Sequence, residues 1–150
     1  MTRKLFWRTR KKTPSARNLT SLALDDVRRI LDSADIAKEW AADAPRLSEL
    51  CQIEDGKTGG VNPGDRRALF YLVRAFRPAR MLEIGTHVGA STLHIVAALM
   101  RGGCEQIPRL VTVDIEDVND SPHSCWRQVG LAKSPKQMVE ELNATVEIAF

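Results

Sequence analysis

ARMLEIGTHVGAST, at residues 79–92, carries the strongest structural signal in this chain of 150 residues. An apolar run interrupted by one carboxylate, Glu83, leads into two glycines four residues apart, and a helical pattern follows them. Further along, the β-branched run LVTVD (110–114) and the alternating run TVEIAF (145–150) are typical of strands. These patterns predict three strands, the first of them at 80–84.

Helices are predicted between the strands. Apolar residues at helical spacing predict a helix at 90–101 with one buried face. A capping-box pattern at 134–137 predicts another helix, and the long polar segment 115–133 before it is predicted to be a mobile loop, with a lid over a ligand as the alternative. Strands that alternate with helices indicate an α/β fold with a parallel sheet. Ligands of such sheets bind beyond the carboxyl ends of the strands.

The region before the first strand is predicted to be helical. Asp25 lies in the first turn of a helix that Thr20 or Ser21 would cap, and a second helix is predicted from Ile36 to near Pro45. A third helix is predicted from the signals of an N-cap asparagine followed by proline at 62–63. Its buried stripe is predicted to consist of Leu69, Leu72, Val73 and Phe76.

Charge is distributed unevenly along the chain. Residues 1–17 carry seven basic side chains and no acid, whereas the remainder has 15 basic against 19 acidic side chains, a net charge of −4. We interpret residues 1–19 as a solvated basic tail, and contact with nucleic acid is the alternative. No apolar run reaches the ~18–20 residues of a membrane span, and no signal peptide is recognised. Three widely spaced cysteines predict reduced thiols and a cytoplasmic protein.

The glycine turn fits one of two ligand frames better than the other. A dinucleotide fingerprint would place its glycines at Gly85, residue 87 and Ala90, but the second position holds His87, where a pyrophosphate needs an absent side chain. The other frame is an acid, Glu83, followed by two glycines, the second being Gly89, and it suits a ligand without phosphates. An acid at the end of the second strand could then hold a ribose, which together describes S-adenosyl-L-methionine.

The same residues resemble a known family. LEIGTHVGAST with LVTVDIE after the next helix is similar to motifs I and II of the class I S-adenosylmethionine-dependent methyltransferases, within the subgroup of catechol-type and small-molecule O-methyltransferases. The preceding GGVNPGDRRALFYLVRAFRPARM also resembles the segment that leads into motif I there. The resemblance covers residues 58–150, which we expect to form the partial cofactor-binding, Rossmann-like domain, with residues 20–57 as an N-terminal helical segment.

The resemblance implies a role for each matching position. One group would line the methionine end of the cofactor, His87 would contact it from the turn, and the end of the second strand would hold its ribose and adenine. The implied cofactor-binding residues are Glu83, Gly85, Thr86, His87, Gly89, Ser91, Asp114 and Ile115. The implied activity is methyl transfer to an oxygen of a small molecule, and the catalytic base is not identified.

The family's sheet has seven strands with the first near its centre, whereas this sequence supplies three. The resemblance therefore implies a half sheet in the order 3-2-1 and a chain that is the truncated, cofactor-binding half. The acceptor pocket, and the ligands for magnesium in metal-dependent relatives, would lie beyond residue 150. The first strand would then expose an apolar edge, for which association of copies or a complementing C-terminal chain is expected. A non-catalytic cofactor-binding remnant or interaction module, an NAD-dependent enzyme and a nucleic-acid methyltransferase are the alternatives.

Overall fold

The computed structural model describes residues 23–52, 61–103 and 106–150. The described residues form a mixed α/β structure in which helices cover a small parallel sheet. The elements in chain order are α1 (Leu24–Leu31), α2 (Ala34–Cys51), α3 (Pro63–Phe76), β1 (Arg80–Ile84), α4 (Ala90–Met100), β2 (Arg109–Val113), α5 (Cys125–Gln128), α6 (Pro135–Glu140) and β3 (Glu147–Ala149).

The sheet has the predicted order. β2 lies between the other two described strands and pairs in parallel with both, so β1 is an edge strand, as expected. The register places Glu83 beside Thr112 and Ile84 beside Val113, and both strands therefore end at the same level. The first strand has the predicted bounds, whereas β3 is confined to Glu147–Ala149 and is shorter than the predicted 145–150.

The start of α3 was predicted from local signals and is confirmed. Asn62 is the N-cap, its side chain accepts a hydrogen bond from the backbone N–H of Asp65, and Pro63 occupies the first turn. The predicted buried stripe is wrong, because only Val73 of its four members is buried and Phe76 is 39% exposed. Since α3 packs against α1, α2 and α4, its buried side is wider and rotated. The residues it buries are Phe70, Tyr71, Val73 and Arg74.

The N-terminal helices differ from the prediction in their bounds. α1 begins after Ala23, so the predicted caps Thr20 and Ser21 lie outside the described residues, while Asp25 does stand in its first turn. The predicted end of α2 near Pro45 is wrong, because the helix continues through it to Cys51. A proline removes one backbone hydrogen bond, but Pro45 is exposed, and the buried Leu47, Leu50 and Cys51 beyond it hold the last turns against the core.

α4 forms the centre of the core. A single buried face was predicted, and that prediction is wrong, because every residue from Thr92 to Leu99 is buried. Contacts with α2, α3 and α6 enclose the helix on its outer sides, and Glu83 of β1 binds its first turn on the inner side. A helix that is apolar around its whole circumference is typical of such a central position.

The segment 115–133 was predicted to be a mobile loop, and the structure places a short helix in it. This helix is α5, whose Trp126 is 5% exposed and donates from Nε1 to the carbonyl oxygen of Val118 at 2.8 Å. The capping box that follows is confirmed, since Ser134 accepts from the backbone of Gln137 and the Gln137 side chain accepts from the backbone of Ser134. A buried aromatic side chain within the segment and a capped helix start after it thus hold it against the fold, while its mobility stays a prediction.

Candidate functional site

The candidate site lies where β1 and β2 end. Gly85 follows β1 directly, has φ +90°, and donates its N–H to the carbonyl oxygen of Val113 at 2.8 Å. A Cβ built on Gly85 would have no described atom within 4 Å. The chain therefore leaves β1 through a left-handed turn that is exposed and faces open space, which only glycine adopts without strain.

Asp114 connects the end of β2 to this turn. One of its carboxylate oxygens, Oδ2, accepts from the backbone N–H of His87 at 2.8 Å, and Oδ1 accepts from Ile115 at 2.8 Å and from Glu116 at 3.4 Å. The His87 N–H, followed by the other backbone donors, lowers the pKa of Asp114 below its ordinary value. The site therefore presents a carboxylate that is ionised at neutral pH.

His87 occupies the middle of the turn in a left-handed conformation, with φ +51°. Few non-glycine residues adopt this conformation, and its persistence here requires support from the surroundings. The hydrogen bond from its own N–H to Asp114 supplies such support. The N–H of Gly89 is also used internally, because it donates to the carbonyl oxygen of Thr86 at 2.8 Å. Two backbone donors of the turn are thus committed within the protein.

Glu83 joins the end of β1 to the start of α4. Its side chain is buried, one carboxylate oxygen accepts from Ser91 Oγ at 2.5 Å, and the other accepts from Thr92 Oγ1 at 2.6 Å. A carboxylate has about four acceptor positions, so two remain for a further donor. Thr92 was not among the predicted site residues, although its hydroxyl directly follows that of Ser91 in the sequence.

Thr86 directs its side chain into the core rather than toward the turn. It is 2% exposed, and its Oγ1 lies 2.6 Å from Oγ1 of Thr112, on the neighbouring strand. This pair of hydroxyls satisfies two buried polar groups. The side chain of Thr86 therefore stabilises the turn from beneath, and the backbone is the part of this residue that lines the turn.

Gly89 makes a close contact, but with another helix. A Cβ at this position would lie 2.7 Å from Cβ of Pro135 and 3.1 Å from Cε of Met138. The motif predicts that a ligand approaches Gly89 closely, whereas in the structure the start of α6 occupies the space beside its Cα. The sequence offers no local signal for this contact, because Pro135 lies far along the chain.

The remaining predicted residue, Ile115, is 99% exposed just beyond β2. Ile84, at the end of β1, is 81% exposed, so apolar side chains flank the two acids on the solvent side. The structure thereby brings seven of the eight predicted residues, all except Gly89, to one open edge of the sheet or directly beneath it. An exposed apolar side chain beside fixed polar groups is a common composition of small-molecule sites.

Other features of the described residues do not compete with this site. The described residues contain no group of three or more His, Cys, Asp or Glu side chains placed to hold a metal ion. A separate cavity of about 420 Å³ lies between the 115–133 segment and α6. Its wall holds equal numbers of basic and acidic side chains, namely Arg127, Lys136, Asp120 and Glu140, and therefore favours no ligand of one charge. Within the described ranges 23–52, 61–103 and 106–150, no helix is long and apolar enough to cross a membrane.

Comparisons with models of protein families, with curated proteins and with solved structures found no match. The motif resemblance and the geometry of the strand ends are therefore what a functional proposal has to rest on.

Proposed function

We propose that the chain binds S-adenosyl-L-methionine at the ends of β1 and β2, as the cofactor-binding part of a Rossmann-like methyltransferase that acts on an oxygen of a small molecule. One observation carries the proposal: the Asp114 carboxylate accepts the His87 N–H at 2.8 Å, directly beside the open turn at Gly85. This contact occupies a backbone donor that a dinucleotide pyrophosphate would need. The carboxylate also places a negative charge where the pyrophosphate would lie.

The alternative ligand with a pyrophosphate is disfavoured on both counts. Phosphate groups bind where free N–H groups and a positive potential converge at a turn and a helix start. At this turn the N–H groups of His87 and Gly89 already have acceptors, and the Asp114 carboxylate that accepts one of them is anionic. A cationic ligand with free hydroxyls is electrostatically better suited to the same place.

Each part of S-adenosyl-L-methionine has a counterpart in the proposed site. The ribose hydroxyls would donate to Asp114, where the bond to Glu116 N–H, at 3.4 Å the longest of its three, is the one most easily exchanged. The exposed Ile115 would pack against the adenine, and the free acceptor positions of Glu83 would receive the methionine ammonium. Gly85, the backbone of Thr86 and His87, and Ser91 would line the space between them.

The bound cofactor would supply an electrophilic methyl group on a sulfonium. The contribution of this chain would be to hold that group in a fixed orientation, which lowers the entropic part of the barrier to transfer. The role proposed for Gly89 differs from the one that the motif suggests: it lets α6 pack beneath the turn and so supports the site indirectly.

Calorimetric titration of the full chain with S-adenosylhomocysteine and with NAD tests the ligand. We expect S-adenosylhomocysteine to bind and NAD not to bind. Asp114→Asn removes a charge-assisted acceptor, a loss of ~1.5–3 kcal/mol, and should weaken binding about 10- to 100-fold. Asp117→Asn is the matched control, since this exposed acid in the same loop accepts only from Asn119 and Asp120 backbone.

Two results would contradict the proposal. Binding of NAD in place of S-adenosylhomocysteine would reverse the choice of ligand, and equal affinities of the Asp114 and Asp117 variants would remove Asp114 from the site.

A Gly85→Arg variant should abolish binding, because it fills the open space at the turn. Transfer of a labelled methyl group to a simple catechol tests the catalytic part, and binding without transfer would favour the non-catalytic alternative.

A further inference from the structure

Among the described residues, helices cover one face of the sheet and leave the other face bare. Successive side chains of a strand point to opposite faces, and Glu83 of β1, like Leu110 and Thr112 of β2, lies buried on the face that carries α4. On the other face Leu82 is 62% exposed and Ile84 is 81% exposed. Parallel sheets are almost always covered on both faces, so an apolar bare face is a candidate binding surface.

The apolar side chains on this face are contiguous. The pairing of β1 with β2 places Leu82 beside Val111 and Ile84 beside Val113, and Val113 is 42% exposed. Ala149 of β3 extends the same row as the partner of Val111, and these two side chains are half-buried. We call this group, formed by Leu82, Ile84, Val111, Val113 and Ala149, the bare face. Scattered apolar residues on a surface are ordinary, whereas contiguous ones mark interaction sites.

Charges of opposite sign stand at the two ends of the bare face. Arg80 and Arg109, both exposed, lie at the start of β1 and β2, and Arg109 is partly balanced by Glu147 at 3.5 Å. The exposed acids Glu116 and Asp117 follow the other end of β2. The surface is therefore basic at one end, apolar in the middle and acidic at the other end.

We propose that the bare face binds the bare face of a second copy of this chain, with the strands of the two copies antiparallel. A two-fold axis perpendicular to the strands brings the basic end of each copy opposite the acidic end of the other. The apolar centres then cover each other, as in a sheet-on-sheet packing. The same surface is complementary to itself, which is what an interface between identical chains requires.

The small area of the bare face sets the strength of the association. Three short strands give an interface at the low end of specific ones, below about 1,200 Å² in total, where binding is weak and reversible. The dimer should therefore form in a concentration-dependent manner rather than permanently. Sedimentation velocity of the full chain from about 1 to about 300 µM brackets the affinities expected for such an interface. We expect a monomer–dimer equilibrium that weakens at high salt, because the end charges are exposed.

The variant Leu82→Thr/Ile84→Thr tests the apolar centre. Threonine keeps a high strand propensity, so β1 should persist, while association should fall at least about tenfold. Phe76→Thr is the matched control, because Phe76 is 39% exposed on α3 and lies outside the bare face. Pairing through the open edge of β1 would leave these side chains in solvent, so a dimer that survives the double change would overturn the proposal.

Charge reversal tests the antiparallel arrangement. Arg80→Glu alone and Glu116→Arg alone should each weaken the dimer, and the two together should restore it, since each exchanged pair again has opposite signs. Failure of the combined variant to recover would overturn the arrangement. A wild-type chain that stays monomeric over the whole concentration range would overturn the second copy as the occupant. Far-UV circular dichroism and the urea midpoint of every variant establish that it is folded.

Discussion

The contact between Gly89 and the start of α6 gives the sharpest prediction about stability. Gly89→Ala places a methyl group 2.7 Å from Cβ of Pro135, closer than real carbon atoms approach, and 3.0 Å from its Cα, which is tighter than most real contacts. Pro135 lies at the capped beginning of α6 and is itself buried, so it has little room to withdraw. The substitution therefore forces α6 and the glycine turn apart.

Two terms make up the expected cost. Gly89 has φ +81°, and a left-handed conformation costs an L-residue about 1–2 kcal/mol. Overpacking of a fixed core adds about 1–3 kcal/mol. Gly85 and Gly130, with φ +90° and +78°, are matched controls, because a Cβ at either position meets no described atom within 4 Å. Alanine at these two positions should therefore cost only the energy of the left-handed conformation, without any overpacking. The effect of alanine on the unfolded chain is the same for all three variants.

Urea unfolding followed by circular dichroism measures these costs. We expect Gly89→Ala to lower the free energy of unfolding by about 2–5 kcal/mol and each control by about 1–2 kcal/mol. Pro135→Gly removes one of the clashing atoms, so the double variant should be less destabilised than the sum of its single changes by about 1 kcal/mol or more. Equal costs at the three glycines, with no coupling to Pro135, would refute the steric explanation.

Two further predictions concern the helical layer. Burial lowers the pKa of His94 below 6.5, so the unfolded chain binds the proton more readily; the stabilisation is complete above about pH 6.5 and is lost as pH falls toward the folded pKa. The free energy of unfolding, obtained from urea titrations, should fall over this range with a slope of at most about 1.4 kcal/mol per pH unit. His94→Phe, measured in parallel, should lack that step, and identical profiles would contradict the prediction. Arg74→Met breaks the paired hydrogen bonds of 2.5 and 2.7 Å to Glu39 and should lower the free energy of unfolding by about 1–3 kcal/mol. This loss is smaller than that expected for a fully buried pair, because Glu39 is 28% exposed. An unchanged urea midpoint in the Arg74 variant would show that the pair contributes nothing.

Much of the fold could be predicted because its signals are local. The N-cap at Asn62, the capping box at Ser134 and the first strand follow from short patterns whose physical cause lies within a few residues. The strand order, which the family resemblance implied, is also confirmed. The positions of Glu83 and Asp114 follow in the same way, because a residue at the end of a parallel strand lies at the carboxyl edge of the sheet.

The errors occurred where distant residues decide. Pro45 was predicted to end α2, but contacts of later residues with the core extend the helix beyond it. The stripe on α3 was predicted from its own periodicity, whereas the packing of three other helices determines which side is buried. The segment 115–133 was predicted to be a loop from its polarity, but it contains the short helix α5, whose Trp126 is buried and hydrogen-bonded to Val118.

The sequence by itself determined the alternation of strands and main helices, the glycine turn after β1 and the placement of two acids at neighbouring strand ends. Only the tertiary structure decided what those groups touch: Asp114 holds the N–H of His87, Glu83 holds two hydroxyls of α4, and Gly89 admits Pro135. The reason is physical. Caps, turns and periodicity depend on neighbours along the chain, whereas hydrogen-bond partners and close contacts depend on which elements pack together in space.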